Sequence, residues 1–222
     1  MSAAAGPPGA PVAPALTTRL IALEGGEACG KSTQAALLAR RLGAVLTREP
    51  GGTAVGERVR ALLLDLDVAG LDTRAEALLL AAARAQHVAE VVAPALAAGR
   101  DVVTDRFSHS SLAYQGYGRG LPLDEVRGLS EWATRGLWPD VVVLLDLPAE
   151  QAEARRGRPD RFEVESREFH RRVEDGFRAL AAADPARWRV VDASGTVDEV
   201  AARVWHAVCG PAAAGPAPDR DA

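Results

Sequence analysis

The stretch that most limits how this chain can fold is Gly25-Gly26-Glu27-Ala28-Cys29-Gly30-Lys31-Ser32, a complete G-x-x-x-x-G-K-[ST] pattern. It follows an apolar run, Arg19 to Glu24, and precedes a helical pattern, Lys31 to Leu42. Strand, glycine-rich turn and helix in that order form a concave loop. Its backbone N–H groups converge on an anion, with the positive end of the helix behind them. This predicts that Gly25, Gly26, Glu27, Ala28, Cys29, Gly30, Lys31, Ser32 and Thr33 bind the phosphates of a nucleoside triphosphate. Lys31 reaches the β- and γ-phosphates as a catalytic group, and the Ser32 hydroxyl ligates Mg²⁺.

Short apolar runs alternate with helical patterns along the rest of the chain. Strands are predicted over Arg19–Glu24, Ala44–Thr47, Asp101–Asp105, Asp140–Asp146 and Trp188–Asp192. Asp101–Asp105 and Asp140–Asp146 are continuously apolar inside, as strands covered on both faces are. Helices are predicted over Lys31–Leu42, Thr53–Leu64, Thr73–Ala98 with a kink at Pro94, Leu123–Arg135, Ala149–Arg156, Arg161–Ala183 and Thr196–Val208. Strands separated by helices imply parallel pairing with right-handed crossovers. The fold class is α/β, a P-loop NTPase-type three-layer sandwich around a parallel sheet of about five strands. Residues 1–17 and 210–222, rich in Pro, Ala and Gly, are expected to be flexible tails around a domain spanning 18–209.

Lys31 is the only lysine of the 222 residues; every other basic side chain is arginine. With 26 basic against 30 acidic residues, a protein that holds nucleic acid by bulk phosphate neutralisation is excluded. Anionic ligands must meet local arginine clusters instead. Two distant cysteines, Cys29 and Cys209, form no metal-ligand pattern and argue against a stabilising disulfide. No apolar run approaches the roughly 20 residues that span a bilayer. A cytoplasmic protein with no membrane partner is expected.

The motif specifies a nucleoside triphosphate and leaves its use open. Guanine-reading GTPases carry Asn-Lys-x-Asp, which a chain with no second lysine cannot contain. Mechanical ATPases need longer coupling segments, so a small-molecule kinase is favoured. Asp105-Arg106 closes an apolar strand at the carboxyl edge where ligands collect in open α/β sheets. Asp105 there suits a hydrated Mg²⁺ and Arg106 a forked phosphate contact; the alternative is an ordinary surface ion pair.

Five collinear blocks then carry a resemblance: Glu24-Gly25-Gly26-Glu27 with the phosphate loop, Thr47-Arg48-Glu49-Pro50-Gly51-Gly52-Thr53, Ala81-Ala82-Ala83-Arg84-Ala85-Gln86, Asp105-Arg106-Phe107 leading to Ser110-Ser111-Leu112-Ala113-Tyr114-Gln115-Gly116, and Pro139-Asp140. In these the chain resembles the thymidylate kinase family over nearly its whole folded part. The resemblance implies that Arg48 and Arg106 hold the 5′-phosphate of dTMP, a bidentate task suited to guanidinium. It implies that Arg84 hydrogen-bonds the thymine edge, that Ser111 and Gln115 line the base pocket, and that Tyr114 packs beneath base or sugar. Glu27 corresponds to the family's acidic residue near the sugar 3′-hydroxyl and the metal. For Arg48 the alternative is a solvated pair with Glu49, and for Tyr114 a core aromatic. Family members commonly place phenylalanine four residues before the base-reading arginine. Here that substrate-binding position is Leu80, which forgoes a π-stack worth about 0.5–1.5 kcal/mol.

Members of one class carry a catalytic arginine inside the phosphate loop, at the position of Ala28; the other class places arginines in a lid. Arg155-Arg156-Gly157-Arg158-Pro159-Asp160-Arg161 fits such a lid near 155–161, with Arg156 and Arg158 as its catalytic candidates; the alternative is a solvated charge run. The resemblance implies phosphorylation of dTMP to dTDP with ATP and Mg²⁺, in dTTP biosynthesis, by a homodimer. The competing functions are another nucleoside monophosphate kinase and a nucleotide-binding regulator with a degraded site.

Overall fold

The computed structural model describes residues 18–68, 70–155 and 160–210. The expected tails, 1–17 and 210–222, lie outside the described residues apart from Gly210, as do Arg156 and Arg158. Among the described residues, β1 (Leu20–Glu24), β2 (Val45–Arg48), β3 (Val102–Asp105), β4 (Val141–Asp146) and β5 (Trp188–Asp192) form one sheet. Its order is β2-β3-β1-β4-β5, with every neighbouring pair parallel. The chain leaves central β1 toward one edge and returns past it to the other. The carboxyl ends of β1 and β3 therefore flank the point where ligands gather in such sheets.

Helices α1 (Lys31–Leu42), α2 (Ala54–Leu64), α3 (Thr73–His87), α4 (Ala93–Ala97), α5 (Ser108–Ser111), α6 (Leu123–Thr134), α7 (Ala149–Arg155), α8 (Arg167–Ala183) and α9 (Val197–Cys209) complete the domain. The three inner strands, β1, β3 and β4, are buried on both faces because successive side chains alternate between two helical layers, whereas edge strands β2 and β5 leave Leu46 and Val190 exposed. Ile21, Leu23, Val103, Val143 and Leu145 pack with Ala35 and Leu38 of α1 and Val200 and Val204 of α9. Val142, Leu144 and Trp188 meet Phe169, Val173 and Phe177 of α8, while Leu20, Ala22 and Val102 meet Val88, Val92 and Phe107.

Three local features differ from the sequence pattern. Within Thr73–Ala98 a π-helical turn, Val88–Val92, joins α3 to α4, and Pro94 falls in the first turn of α4 directly after it. The helix expected from Arg161 begins only at Arg167. Asp160 accepts the N–H groups of Phe162 and Glu163 and holds a turn, and Ser166 then caps α8 by accepting from the Phe169 N–H. A helix absent from the sequence reading occupies Ser108–Gly118, α5 continuing as a π-helical segment over Leu112–Gly118.

Candidate active site

The phosphate loop leaves β1 in a conformation that the sequence anticipates. Gly25 has φ 144°, and a Cβ there would lie 2.7 Å from the Leu145 carbonyl oxygen, so only glycine fits. Gly30, at φ 92°, caps the start of α1. Ala28 also adopts a left-handed φ of 55°. Lys31 is buried and turned back over the loop: its Nζ donates to the Gly26 carbonyl and lies 3.5 Å from Cys29 Sγ. Ser32 Oγ donates to Asp105 Oδ2 at 2.5 Å. A hydroxyl and a carboxylate at the mouth of the loop suit a hard cation that completes its shell with phosphate oxygens and water. Among the described residues no cluster of three or more His, Cys, Asp or Glu side chains could hold a metal by itself.

Arg106 follows β3 with φ 68°. Its Nη1 donates to the Gly25 carbonyl (3.0 Å) and Ser110 Oγ (3.2 Å), and its Nη2 to Glu27 Oε1 (2.7 Å) and Tyr114 Oη (3.0 Å). Tyr114 Oη also donates to Glu27 Oε1. Burial works against the ionisation of Glu27, but the Arg106 and Lys31 charges outweigh it and hold its carboxyl at about 2. Behind them Glu24 is fully buried, and Oε1 and Oε2 accept from the Phe107 N–H and Ser110 Oγ at 2.9 and 2.6 Å. There burial dominates and pushes the Glu24 carboxyl up to about 7. Glu24 thus ties down the turn that carries Arg106.

The Arg48-Glu49 dipeptide splits between two environments and does not form the solvated pair that was the sequence alternative. Arg48, half exposed, pairs with Glu57 of α2 at 3.0 Å. Glu49 turns inward, before the cis peptide to Pro50, and accepts from Arg84 Nε at 2.7 Å, with His87 Nδ1 at 2.9 Å. Although burial disfavours its charge, Arg84 and His87 keep Glu49 below the ordinary carboxylate range. Arg84, itself buried, donates its two terminal nitrogens to Ser111 Oγ (2.9 Å) and Ser130 Oγ (3.3 Å). The guanidinium is fixed from three sides before any ligand arrives.

Two cavities meet at these residues. One, about 620 Å³ including its open mouth, is lined by Leu80, Arg84, Ser111, Tyr114 and Gln115, with Phe107 and Phe162. That volume is within the range of small-molecule sites. The other, about 890 Å³, is lined by Ala28, Gly30, Lys31, Ser32, Thr33, Arg48 and Asp105. Glu27, Glu49, Arg60 and Arg106 line both. Of the residues assigned from sequence, Leu80, Arg84, Ser111, Tyr114 and Gln115 line the first chamber and Ala28, Gly30, Lys31, Ser32, Thr33 and Arg48 the second, with Arg106 and Glu27 at the junction; Gly25, Gly26 and Cys29 line neither. Tyr114 is both wall and core: it is buried, and its ring meets Phe162 edge-on at 5.8 Å.

Arg60 and Phe162 were not found by sequence reading. Arg60 is held at the junction by its bond to the Pro50 carbonyl (3.0 Å), a contact between segments that no local pattern announces. Burial and the like charge of Arg48 lower its affinity for the proton. Of the arginines in the segment expected to form a lid, Arg155 and Arg161 are described; Arg155 donates to the Ala193 carbonyl (3.3 Å). Arg161 turns into the protein, toward the Leu63 carbonyl and Glu76 Oε2, both at 2.7 Å.

A parallel sheet, a phosphate loop with its lysine, and an arginine-lined second chamber opening onto that loop define a P-loop phosphotransferase of the nucleoside monophosphate kinase type. Within that class the chain belongs to the thymidylate kinase family, whose model matches residues 23–204. A thymidylate kinase of Synechococcus sp. is 55% identical over 193 residues, covering 85% of this chain and 93% of that protein. One from Leifsonia xyli subsp. xyli is 53% identical over 195 residues, covering 83% and 91%. The crystal structure of thymidylate kinase from Ehrlichia chaffeensis superposes with a TM-score of 0.72 at 31% identity, covering 86% of this chain and 98% of that one.

Proposed function

We propose that the chain transfers the γ-phosphoryl group of ATP to dTMP, giving dTDP and ADP, as a step of dTTP synthesis. The observation that carries this reading is the joining of the two chambers at Arg106 and Glu27. A monophosphate whose base lies against Arg84, Ser111 and Gln115 presents its phosphate at that junction, facing the loop that cradles ATP. An oxygen of the acceptor phosphate bonds to Pγ as the bond from Pγ to the bridging β-oxygen breaks. The acceptor is already an anion, so no general base is needed. Alignment and charge neutralisation do the work.

Arg106 and Arg48 grip the acceptor phosphate, Arg48 on release from Glu57, and Arg60 adds charge beside them. Glu27 approaches the sugar and orients Arg106, and Tyr114 walls the site below the base. Lys31 swings from the Gly26 carbonyl to the transferring phosphate. Ser32 and Asp105 hold Mg²⁺, which neutralises charge on the phosphates of ATP when bound. With Ala28 where the other class has its arginine, the catalytic arginines come from the lid, and Arg156 and Arg158 are the assigned pair. A homodimer in the cytoplasm belongs to the same reading; no described helix is long and apolar enough to cross a membrane. Incubating the protein with dTMP and Mg²⁺ATP tests the reading: dTDP and ADP form in equal amounts, whereas ATP consumption without dTDP contradicts it.

A further inference from the structure

Glu76 of α3 lines neither chamber, yet its buried carboxylate receives donors from three residues of two segments. Oε2 accepts from Arg119 Nη2 (3.1 Å) and Arg161 Nη2 (2.7 Å), and Oε1 from Gln115 Nε2 (2.9 Å) and Arg119 Nε (3.2 Å). Burial works against its charge, but the hydrogen bonds from Arg119, Gln115 and Arg161 and the Arg119 charge outweigh it and keep Glu76 ionised. An ionised carboxylate only accepts. Gln115 must therefore give Glu76 its NH₂ end. Gln115 is itself 1% exposed, and among the described residues its Oε1 has no hydrogen-bond partner. The carbonyl oxygen is the polar atom Gln115 has left for the cleft it lines, and a buried acceptor without a donor is costly.

We infer that Glu76 is a positioning residue for base selection: it fixes the amide of Gln115 so that a carbonyl, and never an NH₂, meets the acceptor base. This rests on the chamber being the base pocket of a monophosphate kinase. A carbonyl there is satisfied by a base with a ring N–H, as in thymine or uracil. It repels cytosine, whose ring nitrogen carries a lone pair at that place. In Glu76→Gln the two arginines still claim the oxygen that replaces Oε2. The new NH₂ then faces Gln115 and turns its amide over. Selection relaxes without vanishing, because Arg84, a donor only, still opposes the exocyclic amine of cytosine.

The test compares kcat/KM for dTMP and dCMP, at saturating Mg²⁺ATP, in wild type, Glu76→Gln, Gln115→Met and the double variant. Glu76→Gln shrinks the dTMP preference about 10- to 100-fold, the worth of one satisfied against one frustrated buried hydrogen bond. The KM for ATP stays unchanged, and the double variant loses no more preference than Gln115→Met alone. Equal losses on both substrates, or additive effects, overturn the inference. If Glu76→Gln does not fold, the side-chain NH₂ of Gln115 in the wild type, followed by ¹⁵N NMR, decides. Slow proton exchange retained on binding dTMP supports the fixed amide; fast exchange refutes it. A wild type inactive on dTMP is a failure of the functional reading instead.

Discussion

Arg106 Nη2 donates to Glu27 Oε1 at 2.7 Å, and this pair stands where the acceptor chamber opens into the phosphate-loop chamber. The arginine is aimed by four acceptors before any substrate is bound, so little rotamer freedom remains to be lost on binding. Replacement by lysine keeps the charge and removes the fork. Arg106→Lys should lower kcat/KM for dTMP about 100-fold, the worth of one or two charge-assisted hydrogen bonds, with KM for ATP little changed. Steady-state kinetics check this, and wild-type efficiency would remove Arg106 from the phosphate grip.

Lys31 makes its hydrogen bonds inside its own loop, to Gly26 and Cys29. Its loss should therefore leave folding nearly untouched. Lys31→Met is expected to cut kcat about 100- to 1,000-fold or more, as loss of a positioned charge at a developing anion does. The thermal midpoint should stay near that of the wild type. Activity retained in Lys31→Met is incompatible with the phosphate-loop assignment.

Glu24 gives a pH dependence of stability. Its carboxyl is raised from 4.5 to about 7 in the fold, so the folded state binds the proton more tightly than the unfolded chain. The stabilisation this brings is fully present below pH 4.5 and is lost as pH rises through about 7. A shift of that size is worth about 3 kcal/mol. The stability of Glu24→Gln relative to wild type should accordingly rise across this window, as measured by urea unfolding at several pH values. A parallel pair of curves contradicts the raised carboxyl. Glu27, held at about 2, acts in the opposite sense: its contribution is present at neutral pH and fades as pH falls from 4.5 through 2.

Leu80 lines the acceptor chamber where the family commonly has phenylalanine. Leu80→Phe supplies an aromatic face worth about 0.5–1.5 kcal/mol, so KM for dTMP should fall about 2- to 10-fold with kcat little changed. A rise in KM means that Phe162, on the same chamber, already fills that space.

Local chemistry decided what could be read in the sequence. The phosphate loop was legible because glycine spacing, lysine and serine act within eight residues, and the inner strands β1, β3 and β4 because burial on both faces leaves apolar runs. Arg84 and Ser111 were assigned by resemblance, and the structure places them 2.9 Å apart at one cleft. The partner of Glu49 was not legible, since adjacency in sequence suggested Arg48 and the cleft supplied Arg84, 35 residues away. The acceptor of Arg161 was not legible either, because charge runs carry no direction and Glu76 lies 85 residues back. The late start of α8 turned on side-chain bonds of Asp160 and Ser166, which compete with helix without altering apolar periodicity.

Every role assigned to Arg84, Ser111 and Gln115 depends on dTMP being the acceptor. The most direct measurement is kcat/KM for dTMP, UMP, CMP, AMP and GMP with Mg²⁺ATP, product formation being followed for each. The expected result is dTMP as the best substrate, with cytosine and purine monophosphates far behind. UMP or CMP phosphorylated much better than dTMP contradicts the assignment of Arg84, Ser111 and Gln115 as a thymine pocket.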